Sequence, residues 1–376
     1  MRFVAVAVLA VVPVALAARA DGPPPLPLDG RSPKVRAKLL EDFGGTADTE
    51  KAVAAGLAWL AKQQKADGSW AFDGKETKET AAATGLALLA FLGAGETHKD
   101  AKAKYKATVQ KGLDWLRKDL GANGKFRTGQ TMYSHGIAAL ALVEAHALTF
   151  DAALKPSAQA CVTFVQRAQA KDGSWGYKEG APTGDLSIVG WQLQVLHAAK
   201  RGKLVVDAKT VKAAVAFLDT VAAGEAKDRY GYTTNAGAQP GTALTAIGLW
   251  ARANFDDWTA DTPGMSAGAK GLLKARPPAN QLNFYQLHYA TMVLRGASEE
   301  QWREWNEGPK GADGKRSGGM RDVLVKAQEA NGADAGSWKP DPVWMGQQCG
   351  RVGTTALAVM CLESYYRYVP PEPKAR

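Results

Sequence analysis

Gln64-Lys65-Ala66-Asp67-Gly68-Ser69-Trp70 returns as Gln169-Ala170-Lys171-Asp172-Gly173-Ser174-Trp175. An aromatic-aliphatic pair stands five residues ahead of each Gln, Trp59-Leu60 in the first copy and Phe164-Val165 in the second. Recurrence at fixed internal spacing means that the chain is a series of equivalent units. Each unit has a local logic. The Asp follows the last turn of a helix, the Gly takes the left-handed conformation that ends it, and the Trp has a large flat surface to bury. The Gln amide is placed to bond backbone groups at the start of a neighbouring helix. Gln64, Gly68, Trp70, Gln169, Gly173 and Trp175 are therefore read as staples of the fold with no part in chemistry.

Further copies are degenerate. Repeat two has Trp115-Leu116, Leu120 in place of Gln, then Gly124-Lys125-Phe126; repeat four keeps Phe217-Leu218 and Tyr230-Gly231-Tyr232. Repeat six keeps Leu324 and Gln328 and takes a longer turn to Gly336-Ser337-Trp338, whereas repeat five has lost the motif. After each turn comes a more apolar helix. These helices align at residues 84, 135, 189, 242, 291 and 355, in steps of 51, 54, 53, 49 and 64 residues, the last stretched by the Gly/Lys-rich insertion Glu307 to Gly319. The helices ahead of the turns are amphipathic: Val53, Leu57, Leu60 and Ala61 share one face of Ala52 to Gln64. Amphipathic helices outside and apolar helices inside predict an all-α fold of six helical pairs in two concentric rings, an (α/α)6 toroid over residues 49–369. Repeat one has no polar capping helix, which favours closure over an open solenoid.

The ends lie outside this frame. Arg2, the apolar run Phe3 to Leu16, and the small-residue sites Ala15-Leu16-Ala17 and Ala18-Arg19-Ala20 predict a signal peptide over residues 1–20 and export to the periplasm or medium. The run is short for a membrane span, and no later segment is apolar for long enough to cross one. Residues 21–48 form a proline-rich linker and lead-in, and residues 370–376 a tail. The chain carries 47 Lys and Arg against 37 Asp and Glu, for a net charge of +10. The lysines are spread over the outer helices without interleaved aromatics, which argues for a solvated basic surface and against nucleic-acid binding. Contact with an anionic partner in the cell envelope is compatible with that surface. Of three cysteines, Cys161, Cys349 and Cys361, an exported protein could pair two.

The staple resembles the Gln-Trp motif of squalene and oxidosqualene cyclases, whose helical toroid is shared by the β-subunits of protein prenyltransferases. A nearer resemblance is to exported bacterial proteins with prenyltransferase and squalene-oxidase repeats, of the kind frequent in planctomycetes. It is carried by Met132-Tyr133-Ser134-His135-Gly136-Ile137-Ala138, Gly184 to Gln192, Trp302-Arg303-Glu304-Trp305-Asn306, Gly350 to Thr355 and Glu363 to Tyr368. The resemblance implies the toroid. It does not bring the enzymes' chemistry with it. The cyclases' Asp-x-Asp-Asp acid is absent, and Asp256-Asp257, the sole adjacent aspartates, follow the end of an inner helix. The transferases' zinc set is absent too, since no Asp-x-Cys occurs and neither Cys349 nor Cys361 has a histidine at ligand spacing. The thioester string Gly-Cys-Gly-Glu-Gln of complement-type toroids is not matched by Gln347-Gln348-Cys349-Gly350. No metal or cofactor is implied.

In a closed toroid the inner helices run in one direction and their N-termini meet at one mouth. Their unpaired N–H groups and partial positive charges predict a preference for an anionic or hydroxyl-rich small molecule. His135, Asp185 and Arg351 are the candidates for catalysis there. Tyr133, Trp191, Tyr285, His288, Tyr289 and Trp344 are the candidates for ligand contact, with Ser187, Thr242, Asn283 and Thr354 nearby. Each has a plain alternative. Asp185 and Ser187 stand where helix caps belong, His135 could be a core histidine, and Arg351 could pair with Asp185. Glu144 lies nine residues after His135, on the opposite helix face, so the two are not an acid–base pair. Three functions stay open: a toroid that binds a small-molecule or anionic ligand in its central cavity without catalysis, an enzyme of unrecognised type, terpenoid cyclase-like or lyase-like, acting at the mouth, and a structural or interaction protein of the envelope.

Overall fold

The computed structural model describes residue 31 and residues 33–368. The segment read as a signal peptide, most of the proline-rich linker and the C-terminal tail lie outside the described residues. The first helix, α1 (Pro33–Phe43), falls within the lead-in. Outer and inner helices then alternate: α2 (Ala47–Lys62) with α3 (Thr80–Gly93), α4 (Lys106–Asp119) with α5 (Met132–Thr149), and α6 (Lys155–Arg167) with α7 (Leu186–Arg201). The series continues as α8 (Ala208–Val221) with α9 (Ala243–Phe255), and α10 (Pro263–Lys274) with α11 (Phe284–Leu294). Then come α12 (Glu299–Glu307), α13 (Met320–Ala327), α14 (Trp344–Leu362) and the single turn α15 (Ser364–Arg367). The described strands are two residues long each, β1 (Ala222–Ala223) and β2 (Arg229–Tyr230), an antiparallel clip in the fourth turn.

The inner helices α3, α5, α7, α9, α11 and α14 pack in that order, and α14 packs back on α3. The ring is closed, and the fold is an (α/α)6 toroid. Its inner helices are apolar on every side because both the axis and the outer ring bury them; α3 and α5 are buried almost throughout. Small residues set their spacing. A Cβ on Gly85 would stand 2.7 Å from the Ala138 Cα of the next inner helix, and one on Gly136 would stand 2.9 Å from the Trp191 Cβ.

The staple works across units. Gln64 Nε2 donates to its own turn at Gly68 O and to Thr108 O on α4, both at 2.9 Å. Gln169 Nε2 repeats this with Gly173 O and Thr210 O on α8. Gln328 Nε2 closes the circle by bonding Gly336 O and Ala52 O on α2, both at 2.8 Å. Trp70, Trp175 and Trp338 are fully buried, and each indole N–H donates to the carbonyl of its own outer helix, at Leu60, Val165 and Leu324. The turn glycines have φ of 95°, 86° and 93°, and any Cβ there would collide with the backbone of the next outer helix. Only glycine satisfies both conditions. Gln328→Ala is expected to cost about 1–3 kcal/mol by stranding two carbonyls. In hydrogen exchange the loss should appear first in α2 and α13, and uniform loss around the ring would refute a closing role.

The last long step has a structural cause. The stretch before the insertion is an additional outer helix, α12, packed against α10, α11 and α13. The insertion itself is a turn bridged from Lys310 to Arg316, with Gly311 N bonded to Lys315 O, the pattern of Gly121 N to Lys125 O in repeat two. Repeat five lacks the staple in its turn, but a tryptophan of α12 packs on its inner helix. Trp305 is fully buried and donates to Thr291 Oγ1 on α11.

The opposite end of the ring is closed by arginines. The C-termini of parallel inner helices present unpaired carbonyls and partial negative charge. Arg31 bonds Leu92 O, Arg36 bonds Ala94 O and Arg367 bonds Leu89 O, all from α3. Glu144 of α5 receives Arg367 at 2.9 Å and Arg31 at 3.6 Å. Glu363 lies 3.4 Å from Arg367 and is fully buried, which pushes its carboxyl up to about 8. A raised pKa means that the folded state holds a proton which the unfolded chain releases near 4.5. That contribution is complete below about pH 4.5 and is lost as pH rises through about 8. Glu363→Gln should flatten the fall in stability across this window, up to about 1.4 kcal/mol per pH unit. Parallel stability–pH curves for the two proteins would rule it out.

Candidate functional site

The mouth is built from the first turns of the inner helices. Tyr133 stands at the second position of α5, Tyr285 at the second position of α11 and Trp344 at the first of α14. Their side chains converge. The Tyr133 hydroxyl donates to the Tyr285 hydroxyl at 2.7 Å, and the Tyr133 ring meets Trp344 edge-on at 5.7 Å and Trp191 at 6.2 Å. Beneath them Trp191 stacks on His288 at 6.3 Å, and Tyr289 contacts Trp191, His288 and Tyr285. Gln194 Nε2 donates to the Tyr289 hydroxyl. Tyr133, Trp191, His288 and Tyr289 are buried, Tyr285 is half-buried and Trp344 is 51 % exposed. The six residues singled out for ligand contact are therefore together, but five of them fill the axis and only Trp344 faces out. Burial holds His288 neutral, with its pKa lowered to about 3.

Trp344 is held by a kink. Gly350, at φ 62°, divides α14 into a short helix across the mouth and a long one in the ring. Asp73 accepts from Val352 N and caps the long segment; Asp341 accepts from Val343 N and Gly346 N and caps the short one. Asp341 also accepts from Phe284 N at the start of α11.

The same end carries two aromatics that sequence reasoning did not single out as ligand contacts. Tyr177 and Tyr232 are 43 % and 41 % exposed and share a hydroxyl–hydroxyl contact of 3.1 Å. Their loops lie on the mouth, since Tyr177 O accepts from Met132 N of α5 and Tyr232 O from Leu186 N of α7. The signal was available: each stands two residues after a turn aromatic, in Trp175-Gly176-Tyr177 and Tyr230-Gly231-Tyr232. The negative charge of Asp185 is among the causes that raise the Tyr232 and Tyr285 hydroxyls, after burial.

The mouth, expected to favour an anionic or hydroxyl-rich small molecule, is rimmed by caps and carboxylates. Four of the six inner helices carry a side-chain cap at their N-cap residue. Thr131 caps α5, Asp185 caps α7, Thr242 caps α9 and Asn283 caps α11. With Asp73, Glu79, Asp185 and Asp341 around it, the mouth opposes a further negative charge. Burial raises the carboxyls of Glu79 and Asp341.

The three catalytic candidates are engaged separately. Asp185 Oδ1 accepts from Ser187 N, Ile188 N and Ser187 Oγ, so both residues serve as the α7 cap. His135 is buried between Phe126 at 5.3 Å and Phe164 at 4.4 Å, and desolvation lowers its pKa to about 3. It occupies the place that Thr84 and Thr355 hold in repeats one and six, where the threonine hydroxyl takes the turn N–H of Trp70 or Trp338. Arg351 does not pair with Asp185. It bonds Ser337 Oγ and forms ion pairs with Asp334 at 3.2 Å and Glu329 at 3.8 Å, anchoring the sixth turn. Asp256 pairs with Arg252 at the C-terminal end of α9, far along the chain from any mouth-facing turn. The three cysteines are buried and unpaired, so no disulfide forms. Among the described residues no group of three or more His, Cys, Asp or Glu is placed to hold a metal ion, and no helix is long and apolar enough to cross a membrane.

No family model and no curated protein sequence matches the chain. Solved structures do match. The α-1,6-mannanase GH76A of Salegentibacter sp. HEL1_6, as an inactive variant in complex with α-1,6-mannotetrose, superposes with a TM-score of 0.61 at 10 % identity, over 85 % of this chain and 99 % of its own. The type II terpene cyclase MstE from Scytonema, in complex with the product merosterolic acid A, gives 0.53 at 14 % identity, over 85 % and 97 %. A protein from Actinoplanes gives 0.54 at 14 % identity, over 84 % and 99 %. The chain shares the toroid of terpene cyclases and α-mannanases. Identities this low carry the fold alone.

Proposed function

We propose that this protein binds a neutral, hydroxyl-rich ligand, an oligosaccharide, across the aromatic mouth of the ring. The carrying observation is the combination of exposed Trp344, Tyr177 and Tyr232 with a packed axis beneath them. Flat aromatic faces offer the apolar side of a sugar ring a surface to cover, and their polar edges, with the mouth carboxylates, supply hydrogen-bond partners. Tyr133, Trp191, His288 and Tyr289 occupy the volume that an isoprenoid chain would need, which argues against a cyclase-like substrate. The self-capped helix N-termini argue against an anion. The mannanase relatives in fold, held with α-1,6-linked mannose oligomers, support a saccharide on this architecture.

Binding without catalysis is the favoured form of the reading, because Asp185, His135 and Arg351 are each committed to the scaffold. Export belongs to the same proposal. A mature N-terminus beginning after residue 20 would support it, and an intact Met1 in the cell-associated protein would remove it. The basic outer ring is compatible with an envelope setting. Isothermal titration with α-1,6-mannotriose and other neutral oligosaccharides tests the binding. Trp344→Ala is expected to weaken the best of them at least tenfold, about 1.4 kcal/mol. Affinity unchanged by Trp344→Ala would contradict the assignment.

A further inference from the structure

Two outer helices carry a tryptophan at the same register, and their indole N–H groups fare differently. Between repeats one and two, the Trp115 indole N–H on α4 donates to Asp67 Oδ2 of the preceding turn at 3.2 Å. The matching tryptophan on α2 is Trp59. The register is set by the staple: Gln64 bonds Thr108, seven residues before Trp115, and Gln328 bonds Ala52, seven residues before Trp59. Asp67 stands three residues before Trp70, and three before Trp338 stands Ala335. The carboxylate that should meet Trp59 is therefore missing, and Asp334 beside it is turned to Arg351.

Two independent consequences are visible. The Trp59 indole nitrogen is buried without a hydrogen-bond partner, in a residue only 4 % exposed. A groove of about 490 Å³ opens at the same seam, lined by Trp59 and Ala335 and walled by Ala52, Ala55, Ala58 and Val325. Such an orphaned donor destabilises the fold unless something accepts it. The charged rim is nearly balanced. Asp48 pairs with Lys51 and Glu329 with Arg351, which leaves Lys62 without an ion pair among the described residues.

We propose that this groove is a binding site for a small aliphatic carboxylate, whose oxygen takes the place held by Asp67 at the equivalent seam and accepts the Trp59 N–H. The alanine and valine walls take the alkyl chain, and Lys62 supplies the counter-charge. The site lies on the outer ring and is independent of the saccharide reading.

Sodium octanoate is the probe, followed by the Trp59 indole N–H resonance, with octanol as the uncharged control. Octanoate should shift that resonance saturably, and octanol should bind at least tenfold more weakly. Two variants separate site from scaffold. Trp59→Phe introduces the residue that repeats three and four carry at this position, Phe164 and Phe217, and so preserves packing. Ala335→Asp restores the internal carboxylate. Each should weaken octanoate at least tenfold, measured by isothermal titration because Trp59→Phe removes the reporter, and Ala335→Asp should move the Trp59 resonance toward that of Trp115. The proposal fails if octanoate causes no saturable shift, if octanol binds as tightly, or if Ala335→Asp binds octanoate like the native protein.

Discussion

Trp175→Ala is expected to cost about 3–5 kcal/mol, a large share of the roughly 5–15 kcal/mol that holds a folded protein together. Trp175 is completely buried at the inner end of the third turn. Its removal opens a cavity between α6 and α7 and strands Val165 O, which accepts the indole N–H at 2.7 Å. The turn cannot collapse inward to fill the space. Gly173 is pinned at φ 86° against the α8 backbone, and Gln169 ties the same turn to Thr210 O. Chemical denaturation followed by far-UV circular dichroism measures the effect. A loss below about 1 kcal/mol would show that the staple decorates the ring without holding it.

Arg367→Ala should cost a similar amount, about 3–5 kcal/mol, for a different reason. The Arg367 guanidinium closes the C-terminal end of the ring and is only 7 % exposed. It reaches Glu144 at 2.9 Å, Glu363 at 3.4 Å and Leu89 O at 2.6 Å. Its loss leaves Glu144 with Arg31 alone, at 3.6 Å, and leaves Leu89 O without its donor. The penalty comes from stranding a buried charge, so a paired replacement behaves differently. Because Arg31 shares Glu144, a neutral apolar set needs Arg31, Glu144 and Arg367 replaced together, and a double-mutant cycle on Arg367 and Glu144 should show strong coupling. Additive losses would mean that the cluster is solvated and contributes little.

The fold was legible because a staple that crosses units must repeat in the sequence. Gln64, Gln169 and Gln328 each serve two partners, and the six inner helices follow at nearly constant steps. The additional helix α12 was not legible. It is only nine residues long, and its buried Trp302 and Trp305 do not follow the motif's spacing. The site was half legible. Tyr133, Trp191, Tyr285, His288, Tyr289 and Trp344 do meet, as expected from their places at the inner-helix starts. What periodicity could not convey is which of them face each other across the axis, and so that the ring is plugged. The same limit misplaced Arg351, whose partners Glu329 and Asp334 lie in its own turn. His135, a catalytic candidate or a core histidine on the sequence, has its ring between Phe126 and Phe164. The capping side chains at the mouth were only partly legible, since Asp185 was read as a cap but Asp73 and Asp341 were not.

A crystal structure of the protein soaked with α-1,6-mannotriose tests the central claim most directly. The account predicts a sugar ring lying on Trp344 at the mouth, within reach of Tyr177 and Tyr232, with the Tyr133–Tyr285 hydrogen bond intact below it. A ligand found inside the ring axis with Tyr133 and Tyr285 parted, or a mouth left empty at saturating trisaccharide, would contradict it.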